Sequence, residues 1–361
     1  MRQKFSWNWG WIVVLMLALG AGCTRKADAP AGAPVAVGSR SVNVAIWSNY
    51  LVPEVAEEFM RATGIKVVVS NFSANEELLA KIQAGASQYD VIVPSDYMVF
   101  TMIKLGLLRP LEYGKLPNAR SLDPQFLKKG YDPENKFSVP FDWGTTGIAI
   151  NRDLYKGQIK GWKDVFDNPE LAGKFTMLDD VRETMGAALR TLGYSINSKN
   201  PDELKKAQDV LSKVRSKIKA FSSEPMMIMV NGEAAVSHAY VSDALLARKK
   251  TAGKVEYIVP SEGCTFWTDN LAVPSSAPHP DAAWAFINYM LAPKSNAATV
   301  QAVFVAPANK DVMPLLPPDL QKDPNLFPPA GALARCEMIQ DLGDSLEKWD
   351  RAWTEVKAKA P

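Results

Sequence analysis

Val42-Asn43-Val44-Ala45-Ile46-Trp47-Ser48-Asn49-Tyr50 is the stretch that decides the fold of this chain. Its β-branched run, Val42 to Ile46, has the composition of a strand buried in an α/β core. The apolar run then stops, and two amphipathic rings and two hydrogen-bonding side chains follow at once. In open α/β sheets, ligands bind beyond the carboxyl ends of the strands. Taken alone, Trp47 and Tyr50 are more simply read as rings capping a core. The binding reading gains weight because similar clusters recur beside later strands.

Outward from this stretch the chain alternates. Pro53 opens a helix with Val55, Ala56, Phe59 and Met60 on one face, and Gly64 ends it. Ile65 to Val69 reads as a second buried strand, and Ser73-Ala74-Asn75-Glu76 as a capping box opening a helix that stops at Gly85. Asp90 to Pro94 is a third strand, followed at once by Ser95, Asp96 and Tyr97. Strand, helix, strand, helix, strand implies a parallel sheet with right-handed crossovers. Ser138 to Ile150 reads as an extended crossing segment running into a strand, after which a second α/β unit begins. Further strands are expected at Phe175–Leu178, Val255–Val259 and Phe266–Val273, and helices at Pro280–Leu291 and Leu346–Lys357.

The 361 residues suffice for two domains with sizeable cores, and 47% hydrophobic with 22% charged is ordinary for a globular chain. Arg2 and Lys4 account for the whole net charge of +2, and no basic tract stands out, so nucleic acid is not an expected partner. Residues 1–22 read as a signal peptide: a charged start, then an apolar core, Trp11 to Leu19, too short for a membrane span. Leu19-Gly20-Ala21-Gly22-Cys23 resembles the lipobox of bacterial lipoproteins, with Gly20 departing from the usual leucine. Cys23 is therefore the expected lipidation site, and residues 23–40, rich in Ala, Gly and Pro, the tether between anchor and folded body. An exported chain allows Cys264 and Cys336 to bond, but a buried free pair is an equal alternative.

Little proposes catalysis. The two histidines, His238 and His279, form no metal pair; His279 reads as surface, and His238 as satisfying a local hydrogen bond. Gly144 and Gly147 precede a strand and not a helix, so they are no phosphate loop. Met226-Met227-Ile228-Met229 reads as a core helix face. No cofactor or metal is expected. Binding reads better. Four clusters pair an aromatic with an oxygen-bearing side chain near a strand end: Trp47 to Tyr50, Ser95 to Tyr97, Tyr240 to Asp243, and Phe266 to Asp269. Asp180 and Glu183 are three apart, on one face of a helix's first turn, although the helix dipole alone would explain acids there. Carboxylates and ring faces around one cleft suit an organic cation.

At these residues the chain resembles the polyamine (spermidine/putrescine) substrate-binding proteins of ABC transporters. The motifs are Trp47 to Tyr50, Pro94 to Tyr97, Asp179-Asp180-Val181-Arg182-Glu183, and Trp267-Thr268-Asp269 followed by Leu271 to Pro274. By that resemblance Trp47, Tyr50 and Trp267 box an aliphatic chain. Asp180, Glu183, Asp243 and Asp269 hold the amines, and Ser48, Ser95 and Tyr97 add hydrogen bonds. Asn49 stands where the family is usually acidic, and Tyr240 where a tryptophan is usual. An aromatic expected shortly before Asn309 falls on Val305 or Phe304, and a C-terminal polar contact falls on Glu337, Ile339 or Gln340.

The resemblance implies an α/β, two-lobed periplasmic binding protein of type II-like architecture, with the cleft between lobes joined by two crossover strands, near Pro140 and Asp269. The expected lobes are 41–141 with 269–313 and 142–268 with 314–361. The expected protein is no enzyme but a monomeric periplasmic lipoprotein. It would deliver a polyamine to an inner-membrane ABC permease and be held to the membrane by its lipid. The alternatives are another solute (a modified amine, thiamine-like, or ferric ion) or a non-transport lipoprotein.

Overall fold

The computed structural model describes residues 40–48, 50–85 and 88–359. The signal peptide, most of the tether, Cys23 and Asn49 lie outside the described residues.

Strand β1 (Ser41–Trp47) pairs in parallel with β2 (Lys66–Phe72) and β3 (Val91–Ile92), as the alternation of strands and helices requires. The helix Pro53–Thr63 between β1 and β2 starts at its proline and ends at Gly64, whose φ of 71° is the left-handed cap that glycine adopts without strain. Two expectations in this region need correcting. β2 is not buried: it forms the sheet edge, so Val68 and Val69 keep about two-fifths of their surface in water. The capping box is also displaced. Ser73 offers its N–H and hydroxyl to Glu77, at 3.0 and 3.1 Å, and the helix Asn75–Gln83 begins one residue later than a Ser73 cap implies. That leaves the Asn75 and Glu76 side chains available to the cleft.

The hub of the sheet is β4 (Ser138–Asn151), fourteen residues that are all buried. The remaining strands are β5 (Phe175–Leu178), β6 (Ile218–Ser222), β7 (Val236–Tyr240), β8 (Val255–Ile258), β9 (Thr265–Ala272) and β10 (Ala306–Pro307). The order is β2-β1-β3-β9-β4-β7-β5-β6, and β8 and β10 also pair with β4. β9 runs antiparallel to both β3 and β4, so the β4–β9 ribbon joins the first parallel unit to the second. Burial on both faces suits the apolar ends of β4, Val139 to Phe141 and Ile148 to Ile150, and the polar residues between them, Asp142, Thr145 and Thr146, are buried with them. One core gathers Val44, Ile46, Phe59, Phe141 and Trp284. A second gathers Ile148, Trp162, Phe175 and Trp349. A third, smaller one lies around Leu78, Ile92 and Met102.

Cys264 and Cys336 form a disulfide, with Cα atoms 4.5 Å apart, which resolves the choice left open by the sequence. Beside it Phe266 N–H donates to Glu337 O and Glu337 N–H to Cys264 O, both at 2.9 Å. The C-terminal segment is thereby pinned to the start of β9. Among the described residues no helix is long and apolar enough to cross a membrane.

Candidate functional site

A cleft of about 940 Å³, counted with the open solvent at its mouth, lies over the carboxyl end of β1 and one face of the β4–β9 ribbon. Eleven of the twelve residues singled out as ligand contacts line it: Trp47, Ser48, Tyr50, Ser95, Tyr97, Asp180, Glu183, Tyr240, Asp243, Trp267 and Asp269. The twelfth, Asn49, is the one outside the described residues.

The ribbon organises the site. In an antiparallel pair, residues directly opposite each other point to the same face, and positions two apart on a strand return to it. Thr146 lies opposite Thr265, Gly144 opposite Trp267, and Asp142 opposite Asp269. One face thus carries two hydroxyls, then a ring, then two carboxyls. Four strand residues separate the ends, about 13 Å. The ring can lie there because position 144 is glycine: a Cβ on Gly144 would stand 2.4 Å from Trp267 Cζ2.

At the threonine end, Thr146 and Thr265 donate to the two oxygens of Glu183, at 3.0 and 2.7 Å. Asp180 caps the helix Val181–Thr191, accepting the N–H groups of Arg182 at 2.8 Å and Glu183 at 3.0 Å. Burial, with the Asp180 charge added, pushes Glu183 up to about 8. His238 departs from expectation. Its Nδ1 is buried without a hydrogen-bond partner, and its Nε2 stands 4.0 Å from Glu183. Burial lowers its pKa to about 3, so it faces Glu183 as a neutral ring and not an ion-pair partner.

At the other end Ser95 donates to Asp269 Oδ1 at 2.7 Å, and the Tyr50 hydroxyl also bonds this carboxyl. Burial outweighs these two bonds and pushes Asp269 up to about 7. Asn75 holds Ser95 in place through both its amide atoms, at 3.1 and 3.2 Å, and donates to Tyr97, whose hydroxyl reaches Glu76 at 3.0 Å. Rings close the remaining sides. Trp47 packs on Phe72 with centroids 4.5 Å apart, and Tyr240 meets Trp267 edge-on at 6.4 Å.

Sequence reasoning passed over several lining residues. Asp96 was within a quoted cluster but was not named as a contact. It is buried and accepts from Tyr97 N–H at 2.7 Å and Thr268 N–H at 3.3 Å, and burial pushes it up to about 8. Its place directly after a strand was the available signal. Asn75 was absorbed into the misplaced capping box, and Glu224 carried no signal at all. Of the C-terminal candidates, Ile339 lines the cleft, whereas Glu337 pairs with Arg190 at 2.6 Å. Neither Val305 nor Phe304 is in the lining. Phe304 ends the helix Pro293–Val303 in a left-handed turn, with φ of 60°.

Six carboxyl side chains therefore line the cleft, and no lysine or arginine among the described residues does. Burial raises Asp243 to about 7, with the Glu224 charge adding to it. Buried acids without a basic partner in a ring-walled cleft describe a receptor for a cation.

The sequence profile of bacterial extracellular solute-binding proteins matches residues 54–328. The chain belongs to that family. It is 35% identical over 327 residues to spermidine/putrescine-binding periplasmic protein 1 of Haemophilus influenzae, covering 90% of each chain. It is 32% identical to a putrescine-binding periplasmic protein of Pseudomonas aeruginosa, over 92% of this chain and 96% of that one. Among solved structures it resembles the spermidine/putrescine ABC transporter substrate-binding protein of Streptococcus pneumoniae, with TM-score 0.78 and 31% identity over 88% of this chain and 99% of that one. A lipoprotein of Treponema pallidum gives TM-score 0.78 at 26% identity, over 88% and 99% respectively. This family architecture is the α/β, two-lobed binding-protein fold, and the family is one of solute-binding proteins.

Proposed function

We propose that this protein captures a polyamine outside the cytoplasm and delivers it to an ABC transporter permease. The observation that carries this reading is the face of the β4–β9 ribbon. A carboxyl pole at Glu183 and another at Asp269 flank the ring of Trp267, with no basic residue among the described lining. A chain of methylenes ending in ammonium groups matches that order: charge, apolar stem, charge. Each ammonium over a ring gains about 0.5–2 kcal/mol, more when desolvated. A carboxylate adds a charge-assisted hydrogen bond. A neutral sugar or an anion would leave the acids uncompensated. Ferric ion is disfavoured by the tryptophans of the lining, and among the described residues no three or more His, Cys, Asp or Glu side chains converge on a point where they could hold a metal ion.

Around this core reading stand finer ones. Asp180, Asp243, Glu183 and Asp269 hold the amines; Trp47, Tyr50, Tyr240 and Trp267 enclose the stem; Ser48, Asn49, Ser95 and Tyr97 complete the polar contacts. The lobes, 41–141 with 269–313 and 142–268 with 314–361, close on the ligand by hinge motion. The relatives' periplasmic names support a place in the periplasm, and the lipobox-like stretch ending at Cys23 supports a lipid anchor; the protein acts as a monomer.

The test is a thermal-shift panel on the folded domain, with spermidine, putrescine, agmatine, thiamine and ferric citrate. A ligand that binds only the folded state raises Tm by mass action. Spermidine or putrescine is expected to stabilise most. Thiamine or ferric citrate in first place would replace the polyamine by that solute.

A further inference from the structure

Asp142 does not line the cleft and takes no part in the hydrogen bonds described above. It is fully buried, and neither carboxyl oxygen has a hydrogen-bond partner. Its position is built by a bulge. The pairing steps from Pro140↔Asn270 to Asp142↔Asp269, so Phe141 is the extra residue and Asp142 takes the place opposite Asp269. Without that insertion Phe141 would stand there, and Asp142 would turn to the other face. Directly opposed side chains in such a pair sit about 4.5–5.5 Å apart at Cβ. Two carboxyls in that position, out of water, do not both ionise.

Resting on the polyamine reading, we propose that Asp142 and Asp269 act as one acid unit that holds a single proton in the empty cleft and gives it up when a ligand ammonium docks. Asp269 has hydroxyl donors from Ser95 and Tyr50, so it is the member that carries the charge. Asp142 has none and keeps the proton, its affinity for it raised by burial and by the Asp269 charge. The exchange is balanced: one ammonium enters, one proton leaves to solvent, and no covalent bond changes. Other titratable groups face the pair. They are Tyr50 after β1, Asp96 on the helix Asp96–Lys104, and Tyr131, while Asp243 on the helix Val241–Lys250 faces Tyr50. Of these neighbours Tyr50 is raised by Asp142, whereas Asp96 and Tyr131 are raised by Asp269, so the pair is separable from the rest by changing Asp142 alone.

The test is calorimetric titration of spermidine near pH 7 in two buffers of different ionisation enthalpy, on the wild type and on Asp142→Asn. The difference between buffers counts protons released. The wild type is expected to release about half to one proton more per spermidine than Asp142→Asn. Equal release by the two proteins overturns the proposal. Infrared difference spectra of the wild type and of folded Asp142→Asn and Asp142→Ser provide a second readout, because Asp96, Glu183 and Asp243 add acid bands common to all three: a carboxylic-acid C=O band that spermidine removes from the wild type alone supports the exchange, and the same loss in all three proteins overturns it. No binding of spermidine by folded wild type would reject the polyamine reading. An acid band present in the empty wild type and missing from empty Asp142→Asn would then still report that the pair holds its proton.

Discussion

The two ends of the β4–β9 ribbon are built from the same pair of strands and do opposite things. At one end the opposed residues are Thr146 and Thr265, and they hand two hydroxyl protons to Glu183. At the other they are Asp142 and Asp269, and the ribbon supplies negative charge in place of donors. The threonine end is satisfied before any ligand arrives. The aspartate end is balanced only in part, by Ser95 and Tyr50 from neighbouring elements. One end is thus a prepared socket for a carboxylate that then meets an amine, and the other stores uncompensated charge until an amine comes.

The largest effect that could break this comparison is on the empty protein. Asp96 and Glu183 are pushed up to about 8, and Asp243 and Asp269 up to about 7. An acid whose pKa is raised by folding contributes stability that is complete below its unfolded value and is lost as pH rises through the folded one. Calorimetric Tm of the ligand-free protein should therefore fall, on the order of 10 °C, as pH rises from about 5 to about 8.5. A bound polyamine should flatten that slope. A ligand-free Tm that is constant across the range would mean that the cleft acids are already compensated.

Next comes Asp269→Ala, expected to weaken spermidine binding by about 2–5 kcal/mol in titration calorimetry, because it removes the charge and strands the Ser95 and Tyr50 hydroxyls. Unchanged affinity would take Asp269 out of the site. Between the ends, Gly144→Ala drives a methyl into the Trp267 ring and should cost about 1–3 kcal/mol of affinity. A normal isotherm there would show that the ring is free to move. Smallest is Thr265→Val, which leaves Glu183 with one donor and should cost about 1 kcal/mol. If it costs as much as Asp269→Ala, the two ends are not different in kind.

Much of this was legible in the chain because strand composition and the residues just past each strand are local signals. Trp47 to Tyr50, Ser95 to Tyr97 and Trp267 to Asp269 could be read that way, and so could the pair Asp180 and Glu183 at a helix start. What stayed hidden depends on pairing. A valine run such as Val67-Val68-Val69 looks the same in the middle of a sheet as at its edge, where β2 lies. Asp142 could not be assigned a face, because the bulge at Phe141 breaks the alternation on which such a reading rests. The His238 expectation failed for the same kind of reason: its neighbours come from distant segments, and none bonds Nδ1.

The measurement that bears most directly on the central claim is calorimetric titration of the folded domain with putrescine, cadaverine, spermidine and spermine. The two-pole cleft predicts saturable one-to-one binding, with one amine clearly ahead because only one chain length spans Glu183 and Asp269 with its stem on Trp267. Folded protein that gives no heat with any of the four would contradict it.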